Sequence, residues 1–155
     1  MPEVAARALG LGAVAGFRSM AAPAALSRAA ANGRLDGLGA TPFAVLGSSR
    51  VSRLLTLFEV GELIVDKLPI VPSRTSSPPL FGRAASGAFV GAALFASEGR
   101  RAAVGGALGA AAAVASAYAG ERLRVQIGQL TGAPDPAVAL LEDAVVLFGS
   151  HRLLR

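Results

Sequence analysis

Charged residues punctuate this chain, and the stretches between them are long and apolar. The clearest runs from Ala102 to Gly120, nineteen residues without a charge, closed by Glu121, Arg122 and Arg124. A second, Ala84–Ser97, is fourteen uncharged residues between Arg83 and Glu98, and reaches bilayer length only if Leu80–Arg83 join it. A first run, Ala8–Leu26, is interrupted by Arg18 and by Pro23, which predicts a kink or an end there. Two weaker segments complete the set. Leu54–Pro69 needs to begin near Ser48 to approach the ~20 residues that a span requires. Pro136–Leu154 carries Glu142 and Asp143 in its interior, with Pro136 in the first turn behind Asp135 as cap. The expectation is an all-α polytopic transmembrane bundle of about five helices, or four if Leu54–Pro69 lies in the interface.

Between the first two segments Asn32-Gly33 and Asp36-Gly37 read as turns, with a short apolar patch at Phe43–Leu46. After the second segment Pro69, Pro72, Pro78 and Pro79 make a rigid connection, since proline removes donors and restricts its neighbours.

Composition strengthens this reading. Apolar residues make up 53% and charged residues 16% of the 155, well below the quarter usual in soluble domains. A single integral-membrane domain over residues 1–155 fits that length. Cysteine is absent, which removes disulfides, thiolates and Cys-based metal sites. The net charge of +5 comes from arginines scattered singly or in pairs, without a basic tail or an aromatic-studded face. That scatter suits the flanks of membrane helices and gives no support to nucleic-acid binding. The expected location is a cell membrane, multi-pass, of the bacterial inner-membrane kind.

On a five-helix map, Arg7, Lys67, Arg74, Arg83, Arg122 and Arg124 fall on the N-terminal side. Arg28, Arg34, Arg50, Arg53, Arg100, Arg101, Arg152 and Arg155 fall on the other. The positive-inside rule then favours an outside N-terminus only weakly. The order helix pair, single helix, helix pair, with LLTLFEVGELIVDKL against VALLEDAVVLFGSHRL, raises the idea of two inversely oriented halves.

Ionisable groups inside apolar helices are the candidates for function. Arg18 needs a partner or a water-filled cavity, and Glu59, Glu62, Asp66 and Glu142 are the acids expected to supply it. Glu59, Glu62 and Asp66 lie near one helical stripe, so Glu59 and Glu62 could bind a cation or relay a proton, whereas Asp66 and Lys67 also suit a helix end at the headgroups. Arg18, Glu59, Glu62 and Glu142 form the expected polar centre. Glu142 and Asp143 point about 100° apart and should not both line one cavity. Gly12/Gly16, Gly87/Gly91 and Gly105/Gly109 carry the G-x-x-x-G spacing that permits close helix crossing.

No metal site is expected, because the single His151 lacks the Glu-x-x-His spacing of a di-metal bundle. No phosphate loop and no serine–histidine arrangement is present either, so no enzymatic activity and no cofactor are expected. The expected partners are the bilayer, a small ion or solute, and further copies of the chain, since small-residue helices leave little room for a private cavity. The alternative is a structural or lipid-interacting membrane protein without transport.

The segments GAVAGFRSMAAPA and FEVGELIVDKLPIVPSRTSSPPLFGRAASGAFVGAAL resemble the small bacterial integral-membrane proteins grouped as a domain of unknown function. The resemblance spans nearly the whole chain. It rests on Gly16, Arg18, Ser19 and Pro23, then on Glu62, Asp66, Lys67, Pro69, Pro72, Arg74, Thr75, Pro78, Arg83, Gly87 and Gly91. It implies several membrane helices and no assigned activity. If D-K-L-P-x-x-P-x-R-T is the identifying motif, the loop becomes a second candidate site of Asp66, Lys67, Arg74 and Arg83. Lys67 and Arg74 beside Asp66 would hold an anionic headgroup or solute. Alternatively, Asp66 pairs with Arg74 or Arg83 and locks the loop.

Overall fold

Among the described residues the chain forms six α-helices where five or four were expected: α1 (Pro2–Phe17), α2 (Ala21–Ala31), α3 (Ser49–Val65), α4 (Ser77–Ser97), α5 (Ala102–Thr131) and α6 (Asp135–Leu153). They come from a computed structural model that describes residues 2–65, 75–131 and 135–154, with the backbone alone at 131, 135–137, 139, 142 and 151. Two 3₁₀ turns, Asp36–Ala40 and Ala44–Gly47, occupy the glycine-rich connection between α2 and α3. Left-handed glycines lie just beyond α2 and α4, Gly33 at φ 70° and Gly99 at φ 66°, where a Cβ would be strained.

Three helices form the centre, and glycine explains how. Gly87 and Gly91 of α4 lie against Gly109 and Gly105 of α5, so these helices run antiparallel. Gly12 of α1 also meets Gly109, Gly16 meets Ala113 and Ser116, and Phe17 meets Gly120, so α1 runs parallel to α5. A methyl group on Gly12, Gly87 or Gly109 would overlap a backbone carbonyl of a neighbouring helix. This is the approach that small residues permit and larger ones forbid. Around it Leu11, Val14, Leu26, Val90 and Leu94 fill the buried core.

The first apolar run is two helices, not one. α6 lies antiparallel to α1, with Asp143 on Arg18 and the Leu153 carbonyl accepting from Arg7 Nε at 3.0 Å. α4 follows α2 in direction, with Ser86 on Ser19 O and Ser97 against Gly37 beyond the end of α2, and opposes α1, with Arg83 on Gly16 O and Gly87 meeting the same Gly109 as Gly12. Hence α1 and α2 are opposed, and the chain reverses within Arg18, Ser19 and Met20. The break falls at Arg18 rather than at Pro23, because Pro23 sits in the first turn of α2, where its missing N–H costs little.

The reversal lies inside the bundle. α4, α5 and α6 continue past it by about 9, 16 and 12 Å, counting 1.5 Å per residue from Arg83, Gly120 and Asp143 to the helix ends. Among the described residues two helices are long and apolar enough to cross a membrane, Ser77–Ser97 and Ala102–Leu130. At 16 and 11 residues α1 and α2 are shorter than a span. The parallel course of α1 and α5 also differs from the opposed halves that the pair–single–pair order suggested.

Candidate functional site

A chain that reverses in three residues breaks its own hydrogen-bond ladder, and each broken group needs another partner. Arg18 N–H still reaches Val14 O at 2.9 Å, the last bond of the α1 ladder. Ser19 and Met20 N–H turn instead to the carboxylate of Glu62, at 2.8 Å to Oε1 and 2.7 Å to Oε2. The Ser19 hydroxyl adds a third bond to Oε1 at 2.7 Å. Glu62 thus caps α2 from a different helix, and its charge suits the positive end of the α2 dipole.

The carbonyls are met from α4. Arg83, 4% exposed, donates through Nη1 to Gly16 O at 3.0 Å and also to Phe17 O. Ser86 donates to Ser19 O. That last bond has a sequence cause: the α2 ladder begins with Ala24 N–H on Met20 O at 3.0 Å, and extending it back to Ser19 O would need an N–H at residue 23, a proline.

Arg18 itself is 3% exposed and pairs with Asp143, Nε to Oδ1 at 2.6 Å with Nη2 on the same oxygen. Two side chains, one from the reversal and one from α6, therefore close a buried ion pair. Neither charge is affordable there without the other.

Glu59 lies about one helical turn from Glu62 on α3 but has a different partner. α3 runs antiparallel to α2, so Glu59 falls opposite Arg28, Nη1 to Oε2 at 2.6 Å, with Thr56 Oγ1 at 3.2 Å from the same nitrogen. Glu59 is 4% exposed, and its Oε1 has no hydrogen-bond partner among the described residues.

The expected polar centre is thus divided. Glu62, Arg83, Ser86 and the Arg18–Asp143 pair gather at the reversal, while Glu59 pairs with Arg28 further along α2. Of the acids expected to meet Arg18, the two whose side chains are described turn elsewhere, Glu62 to backbone and the Ser19 hydroxyl and Glu59 to Arg28, and Asp143 takes the guanidinium. The sequence reading gave its weight to Glu142, whose side chain lies outside the described residues. Of the loop candidates, Asp66, Lys67 and Arg74 lie outside the described residues, and Arg83 serves the reversal. Thr75 donates to Glu121 near the start of α4. Among the described residues no cluster of three metal-ligating side chains forms.

Sequence reasoning missed Asp143, Arg28 and Ser86. Two signals were available. Asp143 lies in an apolar helix, and Pro23 leaves a carbonyl that some other donor must meet.

A family model described as Domain of unknown function (DUF4126) matches residues 5–154 of the chain. No curated protein and no solved structure matches it.

Proposed function

This chain belongs to the DUF4126 family, and we propose that it is an integral membrane protein that binds or passes a small ion or solute at the reversal between α1 and α2. One observation carries the reading: a non-helical backbone segment lies within the bundle, held by charged and polar side chains from α3 and α4. In hydrocarbon, such backbone is tolerated only where protein buries it or where it lines a wet cavity. Paired half-helices of this kind hold solutes in membrane transporters. Ser19, Met20 and Glu62 are only partly buried, so one side of the reversal is open to an incoming group.

Proteoliposomes test this directly. Flux of protons, monovalent and divalent cations, anions and small neutral solutes is compared between the parent and Glu62→Gln. The reading expects a selective flux that Glu62→Gln reduces at least tenfold while the melting temperature stays within a few degrees. If the parent conducts nothing on the whole panel, the reversal serves only to fold the bundle, and the structural alternative holds.

The reversal also redraws the charge balance. With α1 and α2 opposed, the N-terminus joins the end that carries Arg34, Arg50, Arg53, Arg100, Arg101 and Arg152. Among the described residues the other end has Arg122 and Arg124. The positive-inside rule then places the N-terminus and the arginine-rich end in the cytoplasm. The chain has no native cysteine, so single probes report cleanly. In intact cells Ala40→Cys and Glu98→Cys should resist an impermeant thiol reagent, and Gln129→Cys should react. The reverse pattern overturns the orientation.

A further inference from the structure

A cavity of about 430 Å³ lies between α2 and α6 toward the arginine-rich end, away from the reversal. Its volume is within the range of small-molecule sites, roughly 300–1,000 Å³. The walls are of two kinds: Leu147 and Leu154 with alanines of α2 on the apolar side, and Arg28, Asn32, Arg34 and Ser150 on the polar side. Among the described residues no Asp or Glu lines it. Arg28 bonds, among the described residues, through Nη1 alone, to Glu59 and Thr56, which leaves Nε and Nη2 to donate into the cavity. Arg34 is exposed and makes no ion pair among the described residues.

Two guanidinium groups and an amide beside an apolar wall match an anion carried on an apolar stem. We propose that this cavity binds the phosphate-bearing headgroup of an anionic phospholipid. Arg34 supplies the uncompensated charge, Arg28 and Asn32 donate to the remaining phosphate oxygens, and Leu147 and Leu154 meet the first methylenes of the chains. Arginine suits this task because its planar fork meets phosphate oxygens two at a time. Position agrees with chemistry, since basic pockets between membrane helices on the cytoplasmic side hold such headgroups. The inference rests on the membrane placement proposed above, but not on any solute passing the reversal.

The test uses the full chain purified in a neutral detergent, with phosphatidylglycerol, phosphatidylcholine and glycerol 3-phosphate added separately. Phosphatidylglycerol should raise the melting temperature by several degrees and co-purify at near one molecule per chain. Phosphatidylcholine should do neither. Arg34→Gln should cut the shift by at least half, whereas Arg50→Gln, an exposed arginine of the same end outside the cavity, should keep it. Equal shifts from the two lipids, or an unchanged response in Arg34→Gln, overturn the site. A full shift from glycerol 3-phosphate alone assigns the cavity to a free phosphate compound and overturns the lipid. A chain that stays monodisperse without detergent refutes the membrane placement itself, an outcome distinct from failure of the cavity alone.

Discussion

α5 is one continuous helix of 30 residues with two different halves. Up to Gly120 it buries a residue about every fourth position: Gly105, Gly109, Ala113, Ala117 and Gly120. From Glu121 to Leu130 it buries none, and Leu123, Val125, Ile127 and Leu130 are all exposed. Hydrophobicity does not separate the halves, because the second has the larger apolar side chains. Size does. Where small residues recur at four-residue spacing, α1 and α4 come within backbone contact, and beyond Gly120, where they do not recur, α1 has ended. The reversal between α1 and α2 sits at the boundary, level with Phe17 against Gly120.

The sharpest way to break this contrast is one substitution made in both halves. Gly109→Leu places a full side chain where α1, α4 and α5 meet, against carbonyls that cannot rotate away. One surplus methylene in a packed core costs roughly 1–3 kcal/mol, and this change inserts several, so no monodisperse protein is expected on size exclusion. Gly128→Leu meets nothing within 4 Å. It should leave the elution profile unchanged and the melting temperature equal or higher, because leucine favours a helix over glycine by roughly 1 kcal/mol. Equal behaviour of the two variants would remove size as the cause of the contrast.

The next effect lies at the boundary itself. Arg18→Met strands Asp143 in a buried site, and loss of one partner from such a pair costs roughly 3–5 kcal/mol. Arg18→Met with Asp143→Leu removes both charges and should recover most of that loss, in keeping with other buried pairs replaced by apolar groups. Thermal unfolding in detergent reads both variants. If the double variant is as unstable as the single one, the ion pair is more than a pair, and the groups around it depend on its charge.

How far the residues alone foretold this arrangement follows from the same contrast. Uncharged length located the end of α4 and the start of α5, and the Asp135–Pro136 cap the start of α6, because these are local signals. The charges at Glu121, Arg122 and Arg124 did not end α5, which runs on to Thr131, and α4 begins at Ser77, ahead of Ala84. α3 also began where its marginal width required, near Ser48. The first run misled because composition does not report direction: Ala8–Leu26 is equally apolar whether it crosses once or turns back. Only the demand that every backbone group be satisfied distinguishes the two, and the satisfying groups Glu62, Arg83 and Ser86 are distant in sequence. The partner of Arg18 was illegible for a related reason. The roll of α6 about its own axis, a tertiary property, is what turns Asp143 toward Arg18.

The smallest predicted effect isolates the cause of the reversal's most particular bond. Ser86→Ala leaves the partly buried Ser19 O without the hydroxyl that now donates to it, a loss of about 1 kcal/mol. Pro23→Ala restores the N–H four residues after Ser19, and Ala24 N already bonds Met20 O at 3.0 Å in helical geometry. In the Pro23→Ala background the Ser86→Ala change should therefore cost less, by about 1 kcal/mol in a double-mutant cycle of thermal or denaturant unfolding. Additive effects would mean that the serine answers to the turn as a whole. A positive coupling would mean that Ser86 stands in for the one donor that proline removes.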